Sequence, residues 1–99
     1  MKKVNMYTLS TCPWCKKAKQ FFKDHNIPFE YIDYDLANEE EREAILNEML
    51  EYGANGFPFV KIGKEVVVGY KPTDYSYLME LNDWKGYLIN MFYNGKFTC

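Results

Sequence analysis

At Pro13 the hydrophobic rhythm of the chain changes, and that change limits the fold more than any other feature of the 99 residues. Residues 4–9 form a short apolar-rich run between Lys2-Lys3 and Ser10-Thr11, the pattern of a buried strand. From Pro13 onward Trp14, Cys15, Ala18, Phe21 and Phe22 recur every three or four positions, the stripe of a helix that packs on one side. Asn26 and Pro28 end that helix, because Asn tolerates the left-handed cap and Pro cannot extend it. Residues 29–34 read as a second strand. Strand, helix and strand in that order favour a parallel pair joined by a right-handed crossover.

Asn38 with Glu41 makes an N-cap pair for a second helix, and the acids at 39–41 suit its positive end. Ala44, Ile45, Met49 and Leu50 supply its inner face, and Gly53 stops it. Residues 59–62 and 65–69 flank Gly63-Lys64, the arrangement of an antiparallel hairpin. Pro72 suits an early position of a third helix containing Leu78 and Leu81, with Thr73 and Asp74 capping or flanking it. Trp84, Tyr87, Leu88, Met91 and Phe92 fit a fourth helix after Asp83, stopped at Asn94-Gly95. The expected order is β-α-β-α-β-β-α: an α/β sheet with helices on both faces, in one domain spanning 1–99 with 83–99 as a C-terminal extension.

Charge narrows the partners. The formal net charge is −2, with six lysines and one aspartate in residues 1–25 and nine acids against Arg42 in residues 30–51. A weakly acidic total without an extended basic face speaks against nucleic-acid binding. The acidic stretch 38–51 reads as a solvated helix face. No run approaches the roughly 20 apolar residues of a membrane span, and the N-terminal stretch lacks the apolar core of a signal peptide. The expected compartment is the cytoplasm.

Three cysteines, two of them separated only by Pro13-Trp14, do not make a secreted disulfide framework. Cys12 ends the first strand just before Pro13, the first helical residue. The open N–H groups and dipole of a helix start stabilise an anion there, and cysteines so placed have pKa values lowered from about 8.5 to about 3.5–7.5. Lys16 and Lys17 add to that field. Cys15 falls on the apolar stripe one turn later. The expected chemistry is attack by Cys12 on a disulfide, followed by resolution of the mixed disulfide by Cys15. A zinc site would have to draw on Cys12, Cys15, His25 and Cys99 without a second chelating pair, whereas His25 reads as a solvated or dipole-facing helix end. An inert interaction module is the other alternative. Cys99 reads as a mobile, unpaired surface thiol, or else as the site of a regulatory or intermolecular disulfide.

The run 7–18, Tyr-Thr-Leu-Ser-Thr-Cys-Pro-Trp-Cys-Lys-Lys-Ala, resembles the active-site start of glutaredoxins. Gly56-Phe57-Pro58-Phe59-Val60 is similar to that family's cis-proline segment, and Val67-Val68-Gly69-Tyr70 to the end of its hairpin. The likeness covers residues 3–82. It implies a thioredoxin fold, a four-stranded mixed sheet of order 2-1-3-4 with helices on both faces, and a cis peptide before Pro58. It implies substrate contacts from Pro13, Trp14, Phe57, Pro58, Gly69 and Tyr70, with the main chain of Phe57 pairing with the substrate's cysteine segment. Tyr7 and Trp14 are expected to line the groove, since aromatics with a polar tip suit such borders.

The sequence also departs from the family. Leu9 stands where glutathione-using members carry a basic residue, and Gly69-Tyr70-Lys71-Pro72 replaces a Gly-Xaa-Asp-Asp pattern. A lysine cannot pair with the α-amino group of glutathione. Gly-aromatic-Lys-Pro resembles instead the redoxins that feed ribonucleotide reductase, and Lys71 would suit an anionic thiol such as the coenzyme M used by methanogen redoxins. The expectation is a dithiol–disulfide oxidoreductase acting on protein or small-molecule disulfides. Lys16 and Lys71 would be its electrostatic helpers. It would be monomeric, without metal or organic cofactor, and reduced by thioredoxin reductase or a low-molecular-weight thiol. The competing expectations are a glutathione-dependent glutaredoxin and a carrier of an iron–sulfur cluster held between two subunits.

Overall fold

The computed structural model describes residues 2–80 and 98–99. Its elements are β1 (Val4–Thr8), α1 (Pro13–Asp24), β2 (Phe29–Asp33), a 3-10 turn (Tyr34–Leu36), α2 (Glu39–Glu51), β3 (Phe59–Ile62), β4 (Glu65–Val68) and α3 (Pro72–Leu78). The sheet has the order β2-β1-β3-β4. β1 runs parallel to β2 and antiparallel to β3, and β3 and β4 form the hairpin around Gly63-Lys64. The expected fourth helix lies outside the described residues, and α3 ends at Leu78, with Glu80 at φ 58°, short of the Leu81 that the expected helix included.

Side chains alternate across the sheet, so β1, β3 and β4 each feed two cores. Val4, Met6, Val60, Ile62 and Val67 pack with Ala18, Phe21 and Phe22 of α1 and Tyr75 of α3. On the other face Phe59 packs with Ile45 and Met49 of α2, joined by Tyr7, Phe57, Val66 and Val68. Helix boundaries follow local chemistry. Asn38 Oδ1 accepts a hydrogen bond from Glu41 N at 2.8 Å, which caps α2. Asn26 adopts φ 55° beyond the end of α1, and Gly53 adopts φ 65° after α2.

Several expectations need correction. Trp14 is only half buried, while Cys15, Ala18, Phe21 and Phe22 carry the buried stripe of α1. In α2 the inner face is Ile45 and Met49; Ala44 is exposed and Leu50 is 73% exposed. At about 100° per residue, 44 and 50 fall on either side of the buried row 45–49. Tyr34 leaves β2 for the 3-10 turn. The N-cap of α3 is Lys71, which makes no side-chain capping bond, and Asp74 lies in the first turn.

Beneath α2, Lys61 Nζ donates to Glu48 Oε2 at 2.8 Å and to the Tyr7 hydroxyl at 3.1 Å, and Tyr7 in turn donates to Glu48 Oε1. Burial alone would raise the Glu48 pKa, but the hydrogen bonds from Lys61 and Tyr7 outweigh it and hold the carboxyl below its ordinary value. A carboxylate held low contributes stability above its unfolded pKa of about 4.3, and that contribution is lost as pH falls through the folded value. Lys61→Met is expected to lower unfolding free energy at neutral pH by about 1–2 kcal/mol. The gap from the parent protein should narrow in acid, as urea titrations at neutral pH and near pH 3 would show.

Candidate redox site

β1 delivers the chain to a tight turn at the end of the sheet, where Cys12 N donates to Leu9 O at 3.1 Å. Asp35, beyond β2, holds this turn: its Oδ1 accepts from Ser10 N at 2.9 Å, and the Ser10 hydroxyl donates to Oδ2. The side-chain and then the main-chain bond from Ser10 hold the Asp35 carboxyl below the usual carboxylate range. Cys12 is the extended N-cap residue of α1, followed by Pro13, and its side chain caps nothing. The unsatisfied N–H groups of the first turn therefore open beside its sulfur.

Cys12 is 2% exposed and forms a disulfide with Cys99, the two Cα atoms lying 6.1 Å apart, a normal span for such a bond. This corrects the reading of Cys99 as an unpaired, mobile thiol. Its partner is 87 residues away in sequence, and only the tertiary path of the chain brings the two together. Cys99 is also paired through its main chain. Cys99 N donates to Phe57 O at 2.8 Å, and Phe57 N donates to Cys99 O at 3.3 Å. The peptide between Phe57 and the buried Pro58 is cis.

Cys15 remains a free thiol with no exposed surface. Burial pushes its pKa up; a hydrogen bond from Leu9 N, at 3.4 Å from the sulfur, and the charge of Lys19 act the other way, while Asp33 and Asp35 add to the rise. The two active-motif sulfurs thus occupy unlike places, one at a helix start and one in the core. Sequence reading missed the polar cluster below them. The Thr8 hydroxyl and Lys19 Nζ, the latter at 3.3 Å, both donate to Asp33 Oδ1. Thr8 and Asp33 are register partners across the parallel pair of strands, and nothing in a linear sequence specifies that register.

The remaining candidates divide between the two faces. Trp14 stacks on Tyr70 with ring centroids 6.3 Å apart, and Lys17 Nζ lies 5.3 Å from the Trp14 ring centroid. Gly69, at φ 96°, donates its N–H to Pro58 O at 2.7 Å and accepts the buried Tyr75 hydroxyl on its carbonyl. Tyr7 is not part of this border: it stacks on Phe59 under α2, with its hydroxyl on Glu48. Pro13, Lys16 and Lys71 are exposed, Lys16 in the first turn of α1 and Lys71 at the start of α3. His25 lies at the end of α1 with Nδ1 2.8 Å from Phe21 O. Among the described residues no group of three or more His, Cys, Asp or Glu side chains converges to hold a metal ion.

The burial and raised pKa of Cys15 have a direct readout. With Cys12 and Cys99 joined, Cys15 should resist iodoacetamide in the folded protein at neutral pH and react readily once unfolded, as mass spectrometry of the intact chain would record. Fast labelling of the folded protein would contradict the buried placement.

Comparison with known proteins agrees with this geometry. The Glutaredoxin family profile matches residues 4–67. A glutaredoxin-like 8.6 kDa protein encoded in the rubredoxin operon of Clostridium pasteurianum is 32% identical over 78 residues, covering 78% of this chain and 97% of that protein. Among solved structures, a glutaredoxin from Archaeoglobus fulgidus superposes with a TM-score of 0.72 at 35% identity, covering 80% of this chain and 87% of the other. Methanoredoxin from Methanosarcina acetivorans superposes with a TM-score of 0.68 at 32% identity, covering 77% and 82%. The mixed sheet of order 2-1-3-4, the helix that starts at a cysteine and the matched sequence together make this chain a member of the glutaredoxin family, with a thioredoxin-like fold.

Proposed function

We propose that this chain is a dithiol–disulfide oxidoreductase that reduces protein or small-molecule disulfides through Cys12 and Cys15. One observation carries the reading. Cys12, at the start of α1 with a buried thiol one turn behind it, is bonded to a cysteine whose main chain pairs with Phe57 beside cis-Pro58. An extended, cysteine-bearing segment on that edge has the form expected of a substrate in the act of exchange.

The chemistry follows from the unequal sulfurs. The Cys12 thiolate attacks one sulfur of a substrate disulfide. A Cys12–substrate bond forms, the substrate's own S–S bond breaks, and the departing thiolate takes up a proton. Cys15 then loses its proton and attacks Sγ of Cys12, releasing the second substrate thiol and leaving a Cys12–Cys15 disulfide. Two electrons have passed to the substrate. Phe57 and Pro58 orient the incoming segment, Trp14 stacked on Tyr70 borders it, Gly69 braces Pro58, and exposed Pro13 opens the helix beside the reacting sulfur. Lys16 and Lys71 add positive charge around the sulfurs.

The sulfur pair is itself the redox centre, and the electrons return from an external thiol or from a reductase such as thioredoxin reductase. Leu9 and Lys71 favour a donor other than glutathione, because neither offers the charge that glutathione's carboxylate and α-amino groups require. A reducing compartment such as the cytoplasm fits the chemistry. Among the described residues no helix is long and apolar enough to cross a membrane.

Cys12→Ser is expected to abolish reduction of a disulfide substrate. Cys15→Ser combined with Cys99→Ser should accumulate the Cys12–substrate mixed disulfide, detectable by mass under non-reducing conditions. Absence of any adduct on Cys12 across peptide and small-molecule disulfides would remove the basis of the reading. Assays of the oxidised protein with thioredoxin reductase, coenzyme M and glutathione in parallel should give the slowest turnover with glutathione.

A further inference from the structure

Two features of the segment 98–99 fit the redox edge independently of the sulfur–sulfur bond. The reciprocal hydrogen bonds between Cys99 and Phe57 are those of a paired position in an antiparallel ladder. Gly56 is buried, and a Cβ built there would meet the Thr98 Cβ at 3.0 Å, so the missing side chain of Gly56 is the space that Thr98 fills. Cys15 stays free and buried while Cys12 is engaged elsewhere. The edge therefore accommodates residues 98–99 through main chain and side chain alike.

We propose that Cys99 is a third redox thiol of this protein, one that exchanges with Cys15 for Cys12 and occupies the substrate's place in the oxidised chain. The inference rests on the two-thiol reading above. In the exchange, the Cys99 thiolate attacks Sγ of Cys12 in the Cys12–Cys15 disulfide. The Cys12–Cys99 bond forms, the Cys12–Cys15 bond breaks, and Cys15 leaves as a thiolate that takes up the proton Cys99 gave up. No electrons enter or leave. Burial favours the neutral Cys15 thiol and draws the exchange toward the Cys12–Cys99 form.

The exchange changes which sulfur meets the outside. Cys12 is buried and Cys99 is exposed. An external thiolate then attacks Sγ of Cys99 and expels Cys12 as a thiolate beside the helix start, where an anion is favoured. A second equivalent of external thiol attacks the outer sulfur of the resulting adduct on Cys99. It leaves as a disulfide with the first equivalent and returns Cys99 to the thiol. While Cys99 holds the Phe57 main chain, no substrate segment can pair there. Residue 99 thus acts as a substrate carried by the chain itself, displaced by a reductant or by return attack of Cys15 on Cys12.

The test maps disulfides in protein oxidised with one equivalent of diamide, alkylated and digested without reduction. The peptide bearing Cys12 should be found linked to the one bearing Cys99, in about tenfold excess over the Cys12–Cys15 form, the weighting that two main-chain hydrogen bonds supply. Gly56→Ala keeps all three thiols but crowds Thr98, and should shift that ratio several-fold toward Cys12–Cys15. Cys99→Ser should oxidise only to Cys12–Cys15. A parent protein that yields only Cys12–Cys15, or a Cys99-linked dimer, overturns this inference and leaves the two-thiol mechanism standing. Undiminished disulfide reduction by Cys12→Ser overturns both.

Discussion

Met6 and Val60 face each other across the centre of the sheet and turn their side chains toward α1 and α3, which sends Tyr7 and Phe59 to the opposite face. That alternation governs everything at the end of the strands. It places Thr8 on the α1 side, where its hydroxyl shares Asp33 with Lys19, and Phe57 with α2. Because β1 is antiparallel to β3, the end of β1 that leads to Cys12 lies beside the beginning of β3, where Pro58 stands. Helix start and cis peptide meet because one register brings them there. A slip of one residue would exchange the faces and carry Phe59 into the core built around Phe22.

The two active-motif sulfurs differ because one turn of helix separates a terminus from a core. Cys12 has the unsatisfied N–H groups of α1 beside it, and these favour negative charge. Cys15, three residues on, belongs to the same buried row as Ala18, Phe21 and Phe22, where desolvation favours the neutral thiol. The Leu9 N–H aimed at the Cys15 sulfur and the charge of Lys19 temper that preference without reversing it, and Asp33 reinforces it. Two thiols of opposite electrostatic preference, as the proposed function requires, therefore arise from position alone.

Much of this was legible in the sequence because local signals agreed with one another. The change of period at Pro13, the Asn38 cap, the hairpin about Gly63-Lys64 and the Cys12–Cys15 spacing each depend on neighbours within a few residues, and each element formed within one or two residues of expectation. The cis bond before Pro58 and the strand order followed from family resemblance rather than from any local preference. What escaped depends on distance. Leu50 reads as core because it is apolar, but it falls beside the buried 45–49 row and is exposed. Tyr7 looked like a groove residue until strand alternation put it under α2. The odd cysteine count signalled that Cys99 was unaccounted for, yet its partner is set by a tertiary path that no short window contains. The Thr8–Asp33 contact was equally hidden, since it exists only in the parallel register.

Gly69 sits between two anchors: its N–H holds the Pro58 carbonyl, and its own carbonyl receives the Tyr75 hydroxyl from the core. The edge beside Phe57 is therefore tied through the hairpin to the interior of the molecule. A strand arriving there meets a template already rigid on one side, so the entropy of ordering falls almost wholly on the newcomer. Under the proposed function, discrimination among partners would depend on how readily each can straighten around its cysteine, and stiff, extended loops would be favoured over coiled ones before any side chain is read.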